Sequence, residues 1–462
     1  MLLFKEMKKI CFHVVYLIFV CLLLFEWHGN FYGVTKREIA AAKHPENSAN
    51  TDRINGFALQ KPQEGAEHYG SKSENAPDQI MAGAADHLLM EYGTNSYATY
   101  PFGYYKEVRL DRAGQEKILA VLTELTGLSE EELQNLPEDY FPAVNGVIFH
   151  VGAGVMNPDG SFVVDSSLQK EQEEQSGDDR QHFVPQVSYE RFWELMEEAE
   201  DVIGAGSYYS EEMLETYFGL GEMNYEEAVE EYEKTIYDDK ITAAFARLFC
   251  DYMTRPVSLY AVCIAVAVCL MDRRNRMREL ADSKKTGTVK LIFTRFAAML
   301  ALVLLPVVLL SLESWIPLMA YAGESGLAAD GAAFLKYIAW WLMPSAMEAL
   351  ALGMFLTEWT GTPAAIAVQG VWWFLDAGMT RLSGDVKPFT LMIRHNTLNG
   401  SELVRENFAM LCLNRAILAL GALLLLALTC VVYEKKRNGA WRGLYDARKY
   451  PGFFKKRRKD RL

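Results

Sequence analysis

Apolar residues along this chain gather into six stretches, near Ile10–Trp27, Pro256–Met271, Phe296–Leu312, Tyr337–Leu356, Pro363–Thr380 and Ala416–Tyr433. Each is about as long as a helix needs to cross a hydrocarbon core of roughly 30 Å. A long polar insert separates the first stretch from the other five. The pattern predicts a polytopic α-helical membrane protein with six transmembrane helices and a mixed α/β extracytoplasmic domain inserted between helices 1 and 2.

Within the insert, residues 43–79 are rich in Asn, Ser, Glu, Lys, Pro and Gly and nearly free of apolar runs. We expect a flexible tether over 28–85 and an ordered domain over 86–251. Tyr104–Leu110 and Gly146–Val151 read as strands. Asn157-Pro158-Asp159-Gly160 offers a turn before Ser161–Asp165, which signals a hairpin. Asp111–Thr126, Ser188–Ile203 and Ser210–Phe218 have helical spacing, and Ser129 with Glu132 forms a capping box. Tyr225–Met253 reads as one helix that runs as a stalk into the second span, with Ala228, Val229, Tyr232, Ile236, Ala243 and Leu248 on one side.

In the membrane region Pro306 marks a kink in the third span. Thr362-Pro363 reads as the N-cap and first-turn proline of the fifth span, closing a tight cytoplasmic hairpin with the fourth. The semi-apolar segment Arg381–Met410 lies outside and dips into the outer leaflet as short helices.

Charge turns this layout into an orientation. The formal net charge of −14 conceals two populations: residues 27–247 carry 42 acidic and 16 basic side chains, and the rest is basic. Lys5, Lys8 and Lys9 precede the first span, Asp272–Arg295 holds 8 basic against 3 acidic residues, and the tail after Tyr433 holds 12 against 3. Excess Lys and Arg marks cytoplasmic segments, and six spans place all three on one side. Residues 1–9 and the tail 434–462 are then cytoplasmic, 10–27 is helix 1, 28–251 is extracytoplasmic, and 252–433 carries helices 2–6 with a cytoplasmic loop at 272–295. Glu26-Trp27-His28 after the first stretch lacks a small-x-small cleavage site, so the stretch reads as an uncleaved anchor. The seven cysteines all lie in or beside apolar stretches and form no disulfide framework. Sign segregation of this kind carries no signal for nucleic acid.

The chain lacks a phosphate-cradling Walker A loop. Gly152-Ala153-Gly154 and Gly204-Ala205-Gly206 are too short for a dinucleotide fingerprint and read as turns. The eight histidines show no metal-ligand spacing, and Asn157–Asp165 lacks the alternating oxygens of a calcium loop. Asp178-Asp179 and Asp238-Asp239 read as solvated acids. Glu348 and Asp376 are different: each falls inside a span, where a charge must meet a partner or a polar cavity. They either line a substrate path or bond neighbouring helices. Arg255, Lys336 and Arg415 lie near span ends, where they can snorkel. Trp340, Trp341, Trp372 and Trp373 read as packing or lipid-facing residues.

The loop at 272–295 has a charged helix-like part followed by Thr286-Gly287-Thr288-Val289-Lys290-Leu291-Ile292. It resembles the loop after the second span in permease subunits of type-2 ABC exporters. Gly206-Ser207-Tyr208-Tyr209, Asp239–Thr242 through Ala246–Met253, and Ile393-Arg394-His395-Asn396-Thr397 are similar to a clostridial-type group of these permeases. The resemblance implies an ATPase-coupling loop with Arg273, Arg274, Arg278, Glu279, Gly287, Thr288 and Lys290. It implies a transport subunit of the bacterial plasma membrane with no catalytic, cofactor or metal site of its own. ATP and Mg would be handled by a partner ABC ATPase subunit, and a second permease copy or paralogue would complete the pore. The alternative is a membrane receptor or sensor whose outer domain binds a ligand or protein.

Overall fold

A computed structural model describes residues 2–44, 57–66, 69–73, 76–101, 104–136, 140–141, 154–156, 162–164, 183–274, 287–379 and 387–438. In chain order the helices are α1 Leu2–Cys11, α2 Val14–Asn30, α3 Val34–Lys43, α4 Pro77–Thr94, α5 Arg112–Thr126, α6 Glu130–Leu133, α7 Tyr189–Ile203, α8 Glu211–Phe218, α9 Tyr225–Glu233, α10 Thr242–Arg274, α11 Thr288–Ser325, α12 Ala333–Thr360, α13 Ala364–Met379, α14 Ser401–Glu406 and α15 Phe408–Arg437. The strands are β1 Ser71–Ser73, β2 Tyr97–Thr99, β3 Lys106–Val108, β4 Gly154–Met156, β5 Phe162–Val164 and β6 Leu220–Glu222. The chain divides into two compact units, one of residues 1–52, 56–63 and 226–462, the other of 53–55 and 64–225.

The first unit is a helical bundle. Five of its helices are long and apolar enough to cross a membrane: Val14–Lys43 (α2 with α3), Thr242–Met271, Thr288–Ser325, Ala333–Thr360 and Phe408–Arg437. The chain therefore fits a polytopic helical membrane protein. The stretch expected as the fifth of six spans is the 16-residue α13. At ~1.5 Å per residue it is about 24 Å long, short of a ~30 Å core. α12 lies centrally against α10 and α15, and α10 also packs on α2, α11 and α13. Gly353 of α12 lets the backbones close up, since a Cβ there would lie 2.7 Å from Ala265 Cβ and 3.1 Å from Val262 O. α11 stays helical through Pro306 and Pro317.

Several boundaries differ from expectation. Part of the expected tether is helix: Thr35, Glu38 and Ala41 form a buried face of α3. Thr35 Oγ1 hydrogen-bonds Ser314 Oγ at 2.7 Å and Lys43 Nζ meets Glu324 at 2.6 Å, so α11 supplies the surface that holds α3. The expected stalk is broken. After α9 a π-turn spans Lys234–Asp238, then Lys240 (φ 47) and Ile241 (φ 56) adopt left-handed backbone before α10 restarts. The break places Asp239 on Arg247 Nη2 at 2.9 Å, and Thr242 Oγ1 accepts Asp330 N–H at 2.9 Å. Among the described residues of the segment expected as short helices, 387–400 are irregular and one short helix, α14, follows them.

The second unit is built on α4, α5, α7 and α8. Leu88, Leu122, Leu125, Phe192, Leu195, Met196, Tyr209 and Leu214 are among its buried residues. α4 begins inside the expected tether, with Pro77 in its first turn and Asn95 (φ 45) ending it. Among the described residues its strands form two-stranded antiparallel ladders, β1–β6, β2–β3 and β4–β5. The last is the hairpin expected around residues 157–160, although the strand expected at 146–151 lies outside the described residues. The capping box is present: Glu132 Oε2 accepts Ser129 N–H at 2.8 Å.

Candidate functional site

The segment 387–400 is where the buried polar side chains of the bundle converge. Its irregular backbone cannot satisfy its own N–H and C=O groups, and in an apolar bundle each must find a partner. Two sets of side chains supply them. On α10, Asp251 Oδ2 accepts the amides of His395 (2.7 Å) and Asn396 (2.6 Å), and Arg247 Nη2 donates to Leu398 O at 2.7 Å. Both side chains are about 1% exposed. His395 Nε2 lies 2.7 Å from Asn399 O, and burial, with the Arg247 charge, pushes its imidazole down to about 4. The ring is thus neutral at neutral pH and holds a turn.

The other set holds residues 387–392. Asn414 Nδ2 donates to the carbonyls of Lys387, Pro388 and Thr390. Ser345 Oγ donates to Leu391 O at 2.5 Å, and Asp376 Oδ2 accepts Met392 N–H at 2.8 Å. Arg415 is buried beside them and donates to Asn414 Oδ1, Trp341 O, Ser345 Oγ and Thr390 O. The snorkelling expected for Arg415 does not occur, because carbonyls within the bundle take its donors. Asp376 therefore acts as a backbone clamp in this structure. The stretches 239–253 and 393–397, which the sequence marks separately, meet through Asp251, while Arg247 holds the adjoining carbonyls of Leu398 and Asn399.

Glu348 lies deeper. Gln369 Nε2 bridges Glu348 Oε2 (3.2 Å) and Ser258 O (2.8 Å), joining α12, α13 and α10. One turn away, Trp373 Nε1 donates to Arg255 O at 2.9 Å. Gln369, Trp373 and Asp376 share one face of α13, as i, i+4 and i+7 positions must. This face carries a polar line from segment 387–400 down to Glu348. Glu348 Oε1 and Gln369 Oε1 are buried without a hydrogen bond. Glu348 and Asp376 are not brought into one pair.

At the other end of the bundle, Arg273 and Arg274 end α10, and Gly287 is the N-cap of α11. Arg278 and Glu279 lie outside the described residues. Thr288 Oγ1 hydrogen-bonds Glu434, Lys436 meets Glu358, and buried Arg295 lies 3.5 Å from Glu6 of α1. Lys290 is exposed. α1, α11, α12 and α15 are thereby tied together beside the 272–295 loop.

The second unit has a polar cluster of its own. Glu91 Oε1 accepts Ala98 N–H (2.7 Å), and its Oε2 accepts the Tyr209 hydroxyl (2.7 Å), which also lies 3.1 Å from His87 Nδ1. Burial raises the Glu91 carboxyl to about 7 and lowers the His87 imidazole to about 4. The His87 ring packs on Tyr208, whose hydroxyl lies 3.0 Å from that of Tyr100. Gly206 permits this approach: its φ is 79, and a Cβ would lie 2.8 Å from the Tyr100 carbonyl. The stretch 206–209 thus packs the unit's centre. No sequence signal pointed to His87 or Glu91, because the tyrosines that complete their cluster, Tyr208 and Tyr209, come from more than 100 positions away. Among the described residues no group of three or more His, Cys, Asp or Glu could hold a metal ion. Comparison with protein-family models, curated proteins and solved structures gives no match.

Proposed function

We propose that this chain is the membrane-spanning permease subunit of an ABC transporter, exporting its substrate with ATP hydrolysed by a separate subunit. The observation that carries the reading is the frame of the 272–295 loop. α10 has 33 residues and α11 has 38, against the ~20 that a crossing needs. On the loop side α11 runs on from its apolar run through residues 288–295 and α10 through 272–274, and in this reading the basic loop between them is offered to a cytoplasmic protein. In this reading, ATP binding by the partner moves the loop through Arg273, Arg274, Arg278, Glu279, Gly287, Thr288 and Lys290. α10 carries that motion to Asp251 and Arg247, and so to segment 387–400. The contacts Glu6–Arg295, Thr288–Glu434 and Lys436–Glu358 make the loop end of the bundle move as a body.

The accompanying topology places this chain in a bacterial plasma membrane with both termini inside and residues 28–251 outside. It counts α13 as a sixth crossing, with the bilayer locally thinned around it. A second permease copy or paralogue completes the path.

Pull-down of the tagged full chain in mild detergent should yield ATPase activity in the eluate. Charge reversal of Arg278 and Glu279 together should reduce that activity several-fold without changing recovery of the permease. An eluate with no ATPase, and no Walker A-bearing reading frame beside the gene, would overturn the proposal. The second reading, a receptor or sensor, draws on the buried Glu91–His87–Tyr209 cluster. It is favoured if deletion of the gene leaves efflux of candidate substrates unchanged while a soluble ligand protects the second unit from proteolysis.

A further inference from the structure

We infer that Arg255, Arg394 and Tyr252 form a site for a phosphate-bearing anion at the level of the membrane headgroups. This goes beyond the transport reading and does not depend on it. The argument begins with Asp251, whose Oδ2 is taken by two backbone amides and whose Oδ1 has no hydrogen bond. Arg394 Nε approaches Oδ1 only to 3.8 Å and is itself buried without an acceptor. Arg255, four residues along α10 from Asp251 and three from Tyr252, shares one helix face with both, and its charge acts on each. Among the described residues Arg255 has no ion pair within 4 Å, and neither its guanidinium nor the Tyr252 hydroxyl has a hydrogen-bond partner. The neighbouring Arg247 is committed to Asp239, Leu398 and Asn399. Two guanidinium groups thus face one carboxylate, leaving a surplus positive charge that is half-buried.

Such a surplus is costly unless an anion meets it. Snorkelling does not account for it. Lys336 shows what that looks like here: its side chain is 67% exposed and sits on Asp330 at 2.5 Å. Arg255 and Arg394 are half-buried with open donors. Guanidinium forks match the paired oxygens of a phosphate, and a phenol adds a third donor. The surrounding aromatics set the depth. Tyr252 packs on Phe31, just past the end of α2, and Trp373 hydrogen-bonds the Arg255 carbonyl. Arg255 directly precedes the apolar run Pro256–Met271 and Tyr252 lies one turn before it, and aromatic and basic residues flanking an apolar run mark the headgroup layer, where lipid phosphates lie. Glu26, the nearest acid on α2, acts on Tyr260 rather than on this group.

The test is a thermal-shift titration of the purified full chain with three probes: dihexanoyl phosphatidylglycerol, dihexanoylglycerol and inorganic phosphate. We expect a saturable rise in the unfolding midpoint with phosphatidylglycerol and none with dihexanoylglycerol. R255Q/R394Q should weaken the apparent affinity at least tenfold, while K336Q should leave it unchanged. An equal response to inorganic phosphate, lost in the same variant, supports the site and names free phosphate as its source. Should R255Q/R394Q fail to fold, R255K alone keeps the charge but loses the fork, and a several-fold weaker affinity is expected. Absence of saturable binding by either phosphate probe, or unchanged affinity in R255Q/R394Q (in R255K if that variant must stand in), overturns the inference.

Discussion

Replacing Arg415 by Met should cost about 3 kcal/mol and loosen one half of segment 387–400 while sparing the other. The side chain of Arg415 donates to Asn414 Oδ1 (2.7 Å), Trp341 O (2.8 Å), Ser345 Oγ (2.8 Å) and Thr390 O (3.1 Å). Thr390 O keeps its bond from Asn414 Nδ2, and Ser345 keeps its bond to Leu391 O. Two acceptors, Asn414 Oδ1 and Trp341 O, lose this donor. At roughly 1–3 kcal/mol each, the gross loss is about 2–6 kcal/mol. Methionine fills similar volume and removes the cost of burying a guanidinium, which pulls the net toward the lower half of that range. The positive charge that faces Asp376 is also lost, which works the other way. Denaturant titration in mixed micelles measures the total. Hydrogen exchange measures the location: amides of 387–392 should exchange faster and those of 393–400 should not, since Asp251 and Arg247 hold the latter. Asp251→Leu should give the reverse, because it leaves the amides of His395 and Asn396 without an acceptor. A cost below about 0.5 kcal/mol, or exchange raised evenly across 387–400, would refute the idea of two separate sets of anchors.

Three further outcomes are expected. Gly206→Ala should destabilise the second unit by about 2–4 kcal/mol in a thermal melt, since it forces a Cβ onto the Tyr100 carbonyl at a left-handed position. Between pH 4.5 and 7 the folded state keeps a proton on Glu91 that the unfolded chain has released, so this group lowers stability as pH rises; His87, lowered from 6.5 to about 4, raises it over pH 4–6.5. Melts of the wild type should therefore be nearly flat from about pH 4.5 to 6.5, with Glu91→Gln rising and His87→Phe falling by up to about 3 kcal/mol; parallel profiles for all three would contradict the assignment. Lys240→Gly should stabilise by about 0.5 kcal/mol by relieving an exposed left-handed residue, whereas Ile241→Gly should destabilise by about 2–4 kcal/mol because Ile241 is fully buried.

Local pattern was enough for some of these features and not for others. The Ser129–Glu132 capping box and the hairpin around residues 157–160 involve neighbours in sequence, and both were legible. α3 was not: its ten residues look like part of a polar linker until Ser314 and Glu324 of α11 are brought against Thr35 and Lys43. The α9–α10 break was hidden because Tyr225–Met253 has uninterrupted helical spacing. What ends the helix is Asp239 turning back onto Arg247, together with the contact from Asp330 to Thr242. The candidate site divides in the same way. Glu348 and Asp376 stood out as acids in apolar runs, but Gln369, Ser258 and Asn414 are ordinary residues until their partners are known.

By itself the sequence determined the solvent of each segment. Runs of 16–20 apolar residues favour lipid and a strongly acidic insert favours water, as a polytopic helical membrane protein requires, and the basic flanks predict an orientation for it. Only the tertiary structure decided which polar groups inside the bundle pair and which do not. The period of a helix shows which side chains share a face, but not what that face meets. Arg415 could have reached solvent; carbonyls from residues 341 and 390 turn it inward. Asp251 could have taken both Arg255 and Arg394; two backbone amides hold its Oδ2, and Arg394 alone comes within ion-pair distance of its Oδ1. The open charge left behind is a consequence of packing between segments some 140 positions apart, which no local reading of either one contains.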